Sequence, residues 1–444
     1  MAGPTIQPRT LPGFRDYLPE QAIPRERLMD TARAVYRSYG FSPIDTPALE
    51  YAEVLLGKLD PDAEIQRQVY RFTDAGGRDV ALRFDLTVPF ARFAAQHAGE
   101  LGTPFKRYHI GPVWRGERPQ AGRYREFVQC DFDTIGTTSN AADVETALVI
   151  HDLMEALGFS RFTVRVNNRL VLNGLLESMG LADRAPAVLR SIDKLARQGA
   201  GAVVDELGSA VGLDRSQAER LLGVVSAGGG SRHVLDVVLG EAAGNERVAE
   251  GVARLTQLLD VAVEAGVPES RVQVDLSISR GLDYYTGSVY ETFLDDLPGM
   301  GSVCSGGRYD DLASLYTRQP LPGVGASLGL DRLLAAMEEL GLVGGVTTPA
   351  PVLVVQFSSG GLGAYQRLAR ELRGAGIGVE VYPDPRKIGA QLAYAERRGF
   401  RLALVAGPAE LAAGTCNVKD LASRQELTVA QADVIDQVRK ILYP

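Results

Sequence analysis

The stretch from Phe105 to Gln129, FKRYHIGPVWRGERPQAGRYREFVQ, is the first place where this sequence concentrates chemistry. It carries Lys106, Arg107, Arg115, Arg118, Arg123 and Arg125 against only Glu117 and Glu126, in a chain whose formal net charge is −8. An apolar segment runs into Arg115, a Gly/Pro-containing loop follows, and a second segment leaves it. The pattern reads as a β-hairpin with arginines at its mouth. A guanidinium fixed on a strand can grip a phosphate through two parallel hydrogen bonds. A solvated charged hairpin would show the same counts. Arg115 at the end of an apolar strand argues for a built site, because an isolated inward charge is expensive.

Three other segments interrupt apolar patterns with polar groups. Asp275–Gly287 (DLSISRGLDYYTG) is a charged, aromatic, Gly-bracketed loop suited to a small polar ligand, with Tyr284 and Tyr285 as flat walls that each offer a hydroxyl. An ordinary Asp/Gly turn beside a packed tyrosine pair would look alike. Ser305–Asp310 (SGGRYD) adds a glycine turn with a further tyrosine and arginine. Gly323–Arg332 (GVGASLGLDR) is a Gly-rich strand entering an amphipathic helix. It follows neither the dinucleotide G-x-G-x-x-G nor the P-loop pattern. Its glycines would let a nucleotide lie flat on the backbone, with Arg332 in the first helical turn near the phosphates.

The elements that must hold these groups follow from periodicity. A helix is expected over 24–39, closed by Gly40, then strands over 41–47, 80–84, 108–114 and 127–135. On the last of these, Phe127, Gln129, Asp131 and Asp133 share one face. A helix over 143–157 and a strand over 162–166 precede a change of character between 170 and 265. There aromatics vanish and periods near 3.6 recur, which reads as a helical insertion. Strands return at 272–278, 288–293 and 301–305, followed by a helix over 328–340. Residues 341–351 (GLVGGVTTPAP) form a linker. From 352 to 405 the pattern is βαβαβ, which implies a small α/β domain with a largely parallel sheet.

With 444 residues, a prior of about 150 per domain suggests roughly three units. We expect residues 1–169 and 266–340 to form two parts of one body around the 170–265 insertion, and 352–444 to form the terminal module. The composition, 45% hydrophobic and 23% charged, excludes a disordered or collagenous chain. An acidic surface disfavours non-specific binding to DNA or anionic membranes, while a local basic patch can still hold a nucleic acid. Cys130, Cys304 and Cys416 lie too far apart to suggest a disulfide framework or zinc site and suit a reducing compartment. The first residues lack an apolar signal region, and no run of about 18 apolar residues occurs. A cytoplasmic protein is expected.

His109-Ile-Gly-Pro112 superficially matches half of a class I aminoacyl-tRNA synthetase signature, but that signature needs a helix start and a Lys-rich second loop; His109 reads as a packed or rim histidine. The set as a whole instead resembles the histidyl-tRNA synthetases, class II aminoacyl-tRNA synthetases, from Gly13-Phe-Arg-Asp16 to the last helix. Arg280-Gly-Leu-Asp-Tyr-Tyr285 and Gly306-Gly-Arg-Tyr-Asp310 are similar to the family's two histidine-binding signatures. The helix and strand ending at Pro47 resemble motif 1, a dimer interface in the family; Tyr108–Gln129 resembles motif 2 and Gly323–Leu334 motif 3. The resemblance implies an α+β fold: an antiparallel-sheet catalytic core with a helical insertion, plus a C-terminal α/β anticodon-binding domain. It implies a homodimer that joins L-histidine to tRNA(His) with ATP as substrate and Mg2+, with no membrane or DNA partner.

Position by position, the resemblance places Arg115 on the ATP α-phosphate and the histidine carboxylate, Arg280 near the reacting phosphorus, and Arg332 on the γ-phosphate side. Glu117 and Arg123 join ATP binding; Arg118 and Gln120 meet the acceptor end of tRNA. Asp85 and Thr87 hold the substrate amino group, and Gln129 and Asp133 contact substrate. Asp133 and Tyr285 address the imidazole, and Tyr284 and Tyr309 complete the pocket. Three positions depart from the pattern. Asp85-Leu86-Thr87 stands where many bacterial members have Glu-Gly-Thr, Asp311 where Gly is usual, and Asp331 where Glu precedes the motif 3 arginine. The last shortens the reach of that side chain toward a metal. One rival is the catalytically silent paralogue that serves as regulatory subunit of ATP phosphoribosyltransferase. It typically lacks the C-terminal module and parts of the histidine signatures, and this chain retains both. A synthetase-like sensor fused to a kinase is a poor match, as no kinase motif occurs.

Overall fold

The computed structural model describes residues 6–57, 64–119, 122–279, 285–343 and 347–443. They divide into two compact units, one drawn from residues 1–15 and 28–342, the other from 16–27 and 343–444. The first unit is built on an eight-stranded sheet. Its spatial order is Ser42–Pro43, Phe105–Trp114, Glu126–Ile135, Gly323–Gly329, Cys304–Tyr309, Ser288–Leu294, Phe162–Asn168 and Val272–Val274. Only the two outermost pairings are parallel. A separate three-stranded antiparallel sheet joins Leu49–Tyr51, Asp79–Leu82 and Arg71–Thr73.

Period-two alternation gives the large sheet two chemically distinct faces. On Glu126–Ile135, Cys130 and Phe132 turn toward the helices Pro19–Ser38 and Asn140–Ala156. The Tyr36 hydroxyl donates to the Cys130 carbonyl at 2.9 Å, and the rings of Tyr36 and Phe41 pack 5.1 and 5.4 Å from that of Phe132. Burying a ring such as Phe132 stabilises the fold by about 1.5–3 kcal/mol. Gln129, Asp131 and Asp133 therefore occupy the opposite face. Six helices, from Arg169–Ser178 to Glu246–Glu264, make up the insertion between two strands of this sheet. Asn168, Asp214 and Asn245 cap three of them, Asp214 through a capping box with Gln217.

The second unit has a five-stranded sheet in the order Val379–Val381, Val352–Val354, Leu402–Val405, Thr415–Asp420 and Glu426–Ala430. Its core joins Val352, Val354, Leu402 and Leu404 to Tyr365, Leu368 and Leu372 from one helix and Val434 and Val438 from another.

Four expectations need correction. The segment 41–47 contributes only Ser42–Pro43 to the sheet, and the Ile44 N–H makes the last bond, to the Tyr108 carbonyl at 3.1 Å, before the chain leaves the edge. The strand from Val272 stops at Val274, because the Asp275 carboxylate accepts from the Ser277 N–H and hydroxyl at 2.9 and 2.6 Å and turns the chain. Gly306 and Gly307 lie within the strand Cys304–Tyr309, not in a turn. A Cβ on Gly306 would sit 2.2 Å from the Gly325 carbonyl, so close strand approach explains that glycine. The terminal sheet is mixed: Thr415–Asp420 and Glu426–Ala430 add antiparallel, the latter a short, largely exposed edge strand.

Alternation also splits the signature that ends at Asp310. Arg308 faces the helices, where its guanidinium grips Asp143 in the first turn of Asn140–Ala156, with Nε 3.1 Å from each carboxylate oxygen. Nη1 also donates to the carbonyl of Thr137 at 2.9 Å and Nη2 to that of Ser139 at 3.2 Å. Both ionic side chains are almost fully buried. Asp143→Ala strands that guanidinium and is expected to cost about 3–5 kcal/mol. The urea midpoint of the first unit should fall accordingly; an unchanged midpoint would deny the pair its structural role.

Candidate active site

The hairpin Phe105–Trp114/Glu126–Ile135 pairs Arg107 with Asp133, His109 with Asp131 and Gly111 with Gln129. Gly323–Gly329 continues these rows on the other side, opposing Asp133 with Gly325, Asp131 with Ser327 and Gln129 with Gly329. The polar face of the sheet is thus assembled from a hairpin and a third strand nearly 200 residues further along the chain. Two groups of site residues form on it.

The first group surrounds a cavity of about 250 Å³ that includes Arg115, Glu117, Arg123, Gln129 and Arg332. Arg115 is held by its Nε donating to the Phe84 carbonyl at 3.0 Å, with its guanidinium 5.2 Å from the centre of the Phe127 ring. Arg332 donates to the Ser302 carbonyl. The Gln129 amide donates to the Ser327 hydroxyl at 2.8 Å. Arg123 is 3.8 Å from Glu117. The cavity therefore presents three guanidinium groups against Glu117 and Asp331, a field suited to an anion.

Asp331, though it lines the cavity, is already engaged. Its carboxylate receives Arg15 at 2.8 Å and the backbone N–H of Val128 at 3.2 Å. Arg15 also lies over the Tyr124 ring, 3.8 Å from its centre. Arg125 is a brace: it donates to the carbonyls of Glu117 and Pro12 at 3.0 and 3.2 Å. Among the described residues no cluster of three or more His, Cys, Asp or Glu could hold a metal ion. Mg2+ asks for less, commonly one or two carboxylates besides phosphates and waters, and Glu117 is the cavity carboxylate that fits.

The second group is buried. Asp133, 3% exposed, lies 2.6 Å from Arg107 and accepts from the Tyr309 hydroxyl at 2.5 Å. Arg107 is fully buried, donates to the Leu86 carbonyl at 3.1 Å and stacks 4.4 Å from the Phe90 ring centre. Asp85 accepts from the Val88 N–H at 3.1 Å, where Thr87 opens the helix Thr87–Leu101. Burial pushes Asp133 above the usual carboxylate range, against the pull of Arg107 and Tyr309. It likewise raises Tyr285, with Asp133, Asp131 and Asp85 adding to the effect.

The glycines here make room for side chains and for neighbouring backbone, since a Cβ at Gly325 would also meet the Phe132 carbonyl at 2.3 Å and one at Gly307 the Ser288 carbonyl at 2.7 Å. A Cβ at Gly325 would sit 2.3 Å from Asp133 Oδ1, one at Gly323 2.4 Å from the Tyr309 ring, and one at Gly307 2.9 Å from the Tyr285 ring. Gly323 and Gly325 therefore serve the packing of Tyr309 and Asp133, while Gly329 of the same strand lines the arginine cavity.

The structure thus brings Arg115, Glu117, Arg123, Gln129 and Arg332 together, and separately Asp85, Asp133, Tyr285 and Tyr309. Arg118 is exposed on the loop. Arg280, Tyr284 and Gln120 lie outside the described residues. His109 is 3.0 Å from Asp45, and burial together with Arg107 and Arg83 pushes it down to about 3, so the imidazole is neutral. Arg107, Asp131, Ser327 and Arg15 were not singled out for the site. The shared strand face pointed to Asp131, but Arg107 becomes visible only through cross-strand register.

Tyr309→Phe removes the hydroxyl that caps a buried carboxylate. Such a loss is expected to cost about 1–3 kcal/mol, read as a lower urea midpoint. An unchanged midpoint would show that Asp133 does not depend on that donor.

Comparison with known proteins follows the same division. A family model described as Histidyl-tRNA synthetase matches residues 13–333, and one described as Anticodon binding domain matches 352–441. A histidine–tRNA ligase of Rhodopirellula baltica is 57% identical over 96% of each chain. The crystal structure of a histidyl-tRNA synthetase from Nostoc sp. PCC 7120 aligns with a TM-score of 0.89 at 34% identity, over 98% of this chain and 100% of that one. A Bacillus halodurans structure described as an ATP phosphoribosyltransferase regulatory subunit/histidyl-tRNA synthetase aligns with a TM-score of 0.73 at 25% identity, over 88% and 97%. Matched along most of its length by the family model and along nearly all of it by a close relative, the chain belongs to the histidyl-tRNA synthetase family.

Proposed function

We infer that the chain activates L-histidine with ATP, giving histidyl-adenylate and pyrophosphate, and then transfers histidine to the 3′ end of tRNA(His). The observation that carries this reading is the adjacency, on one sheet face, of an arginine-lined cavity and a buried carboxylate–tyrosine cluster. Histidine carboxylate and triphosphate repel one another, so converging guanidinium groups offset the repulsion and stabilise charge developing at phosphorus. The carboxylate oxygen attacks the α-phosphorus and pyrophosphate leaves, a step that needs no general base. The tRNA hydroxyl then attacks the acyl carbon and AMP leaves.

In this reading Arg115 holds the α-phosphate and substrate carboxylate, Arg332 lies toward the γ-phosphate, and Glu117 and Arg123 complete the nucleotide site. Mg2+ would enter with ATP, with Glu117 the side chain available to it. Asp85 and Thr87 hold the ammonium group and Gln129 the amino-acid end. Asp133 and Tyr285 accept or offer hydrogen bonds to the imidazole, closed in by Tyr284 and Tyr309. A buried acceptor of this kind rejects side chains that lack an N–H donor. Arg280 is assigned to the reacting phosphate, and Arg118 and Gln120 to the acceptor end, on the resemblance of their motifs.

The 352–444 module is assigned to the anticodon. Its exposed Arg386, Lys387, Arg397 and Arg401 and half-buried Arg398 oppose Asp384 and Glu396. Unpaired bases would be read by edge contacts and stacking, with these cations on the phosphates. A homodimer through the motif 1 region and a cytoplasmic setting fit the same reading; no described helix is long and apolar enough to cross a membrane. The regulatory-subunit alternative is disfavoured by the 57%-identical ligase and by the anticodon-domain match.

Histidine-dependent ATP–pyrophosphate exchange tests the assignment. Arg280→Ala should lose roughly 10²–10³-fold in exchange rate with the fold intact; near-normal exchange would remove Arg280 from the reaction. Reversing Arg386 and Lys387 to Glu should leave exchange unchanged while raising the KM for tRNA and flattening its salt dependence. Unaltered charging kinetics would take this patch out of RNA binding.

A further inference from the structure

Asp131 is a buried carboxyl that the reaction as described does not use. It is 1% exposed, sits between Gln129 and Asp133 on the functional face, and is opposed by His109 on one side and Ser327 on the other. Ser327 donates a hydrogen bond to the carboxyl, while its Oδ1 accepts none from any described residue. Charged neighbours come from three directions. Arg107 faces it from the adjacent strand, Asp133 from its own, and Asp85 and Arg83 from the segment after Asp79–Leu82. Tyr36, Tyr285 and Cys304 also feel its charge, and His109 is neutral.

With every carboxyl ionised, Asp85, Asp131 and Asp133 exceed Arg83 and Arg107 by at least one negative charge, Arg83 also facing Asp45 and Glu50. A dry site does not hold such an excess without a partner. A substrate with an ammonium group supplies that partner. We propose that Asp131 is a positioning residue for the amino-acid substrate: its charge, shared with Asp133 through Arg107, is the counter-charge that draws in and orients the ammonium group. The inference rests on the reading that this face binds histidine.

A dependence on pH follows. In the free protein, burial first, then Asp133 and Asp85, push Asp131 up to about 7 against Arg107 and Ser327. Below that pH the carboxyl is neutral and the counter-charge is missing; above it the charge is present. Arrival of the cation favours the carboxylate, and the displaced proton passes to the buffer. The KM for histidine should therefore fall as pH rises through neutrality. Stability runs the opposite way, since a raised carboxyl pKa favours the folded state at low pH and loses that contribution as pH rises from about 4 toward 7.

Asp131→Asn keeps the size and the hydrogen bond but removes the charge. At pH 8 the variant should show a KM for histidine about ten-fold higher, equivalent to one pKa unit of interaction. At pH 5.5 it should match the wild type, and the KM for ATP should be unchanged at both. Its Tm should rise at pH 8 more than at pH 5.5. Free histidine titrates in the same range, but identically for both proteins. Independently of the variant, histidine-binding heats of the full wild-type chain at pH 7, in phosphate and in Tris, should report proton release beyond that of free histidine. Equal histidine KM values for variant and wild type at pH 8, a parallel rise in the ATP KM, or no excess proton release would overturn the inference. Absence of any histidine-dependent exchange by the wild type would instead sink the functional reading itself.

Discussion

A guanidinium that never meets water, that of Arg107, sets the terms for the functional face of the sheet. It lies 2.6 Å from Asp133 and within the field of Asp131. Buried carboxylates persist only beside a cation or as neutral acids, so the strand Glu126–Ile135 can present two of them only because its hairpin partner brings Arg107 into register. Tyr309, reaching from a third strand, then fixes the Asp133 oxygen it donates to. Charge compensation and strand register are one constraint here: a slip of one residue would turn both carboxylates into the helix layer and Cys130 and Phe132 out of it.

Steric demand follows from that arrangement. Asp133, Tyr309 and Tyr285 fill the space that Cβ atoms at Gly325, Gly323 and Gly307 would take, so glycine on two neighbouring strands is the counterpart of bulk on the side chains above them. Close backbone approach is a further demand, on Gly306 from the Gly325 carbonyl and on Gly307 and Gly325 from those of Ser288 and Phe132. Glycine-rich strands in this protein thus lie beneath the buried carboxylate–tyrosine cluster. The cavity beside it is lined by arginines of the hairpin mouth and of the helix Leu330–Glu339.

The same alternation divides labour inside short motifs. In Gly306-Gly-Arg-Tyr-Asp310, Tyr309 serves the site while Arg308, one residue earlier, ties the sheet to the helix Asn140–Ala156 through Asp143. In the hairpin loop, Arg115 faces the cavity whereas Arg125 braces the backbone of Pro12 and Glu117. Arginines close together in sequence and equal in composition differ in role because of which neighbours the fold brings to them.

By itself the sequence determined the helical insertion, the hairpin with arginines at its mouth and the face shared by Gln129, Asp131 and Asp133. Each depends on local period or local charge, which the chain carries without reference to distant residues. It also determined the family through motifs long enough to be specific. Tertiary structure alone decided that Arg107 neutralises Asp133, that Asp331 is engaged by Arg15, that Arg308 is a brace, and that two antiparallel strands extend the terminal sheet. These depend on register and on contacts between segments separated by tens to hundreds of residues, such as Arg15 and Asp331 at 316 positions apart. Neither propensity nor periodicity encodes a pairing of that range; it exists only once burial of both faces of the sheet has fixed which strands meet.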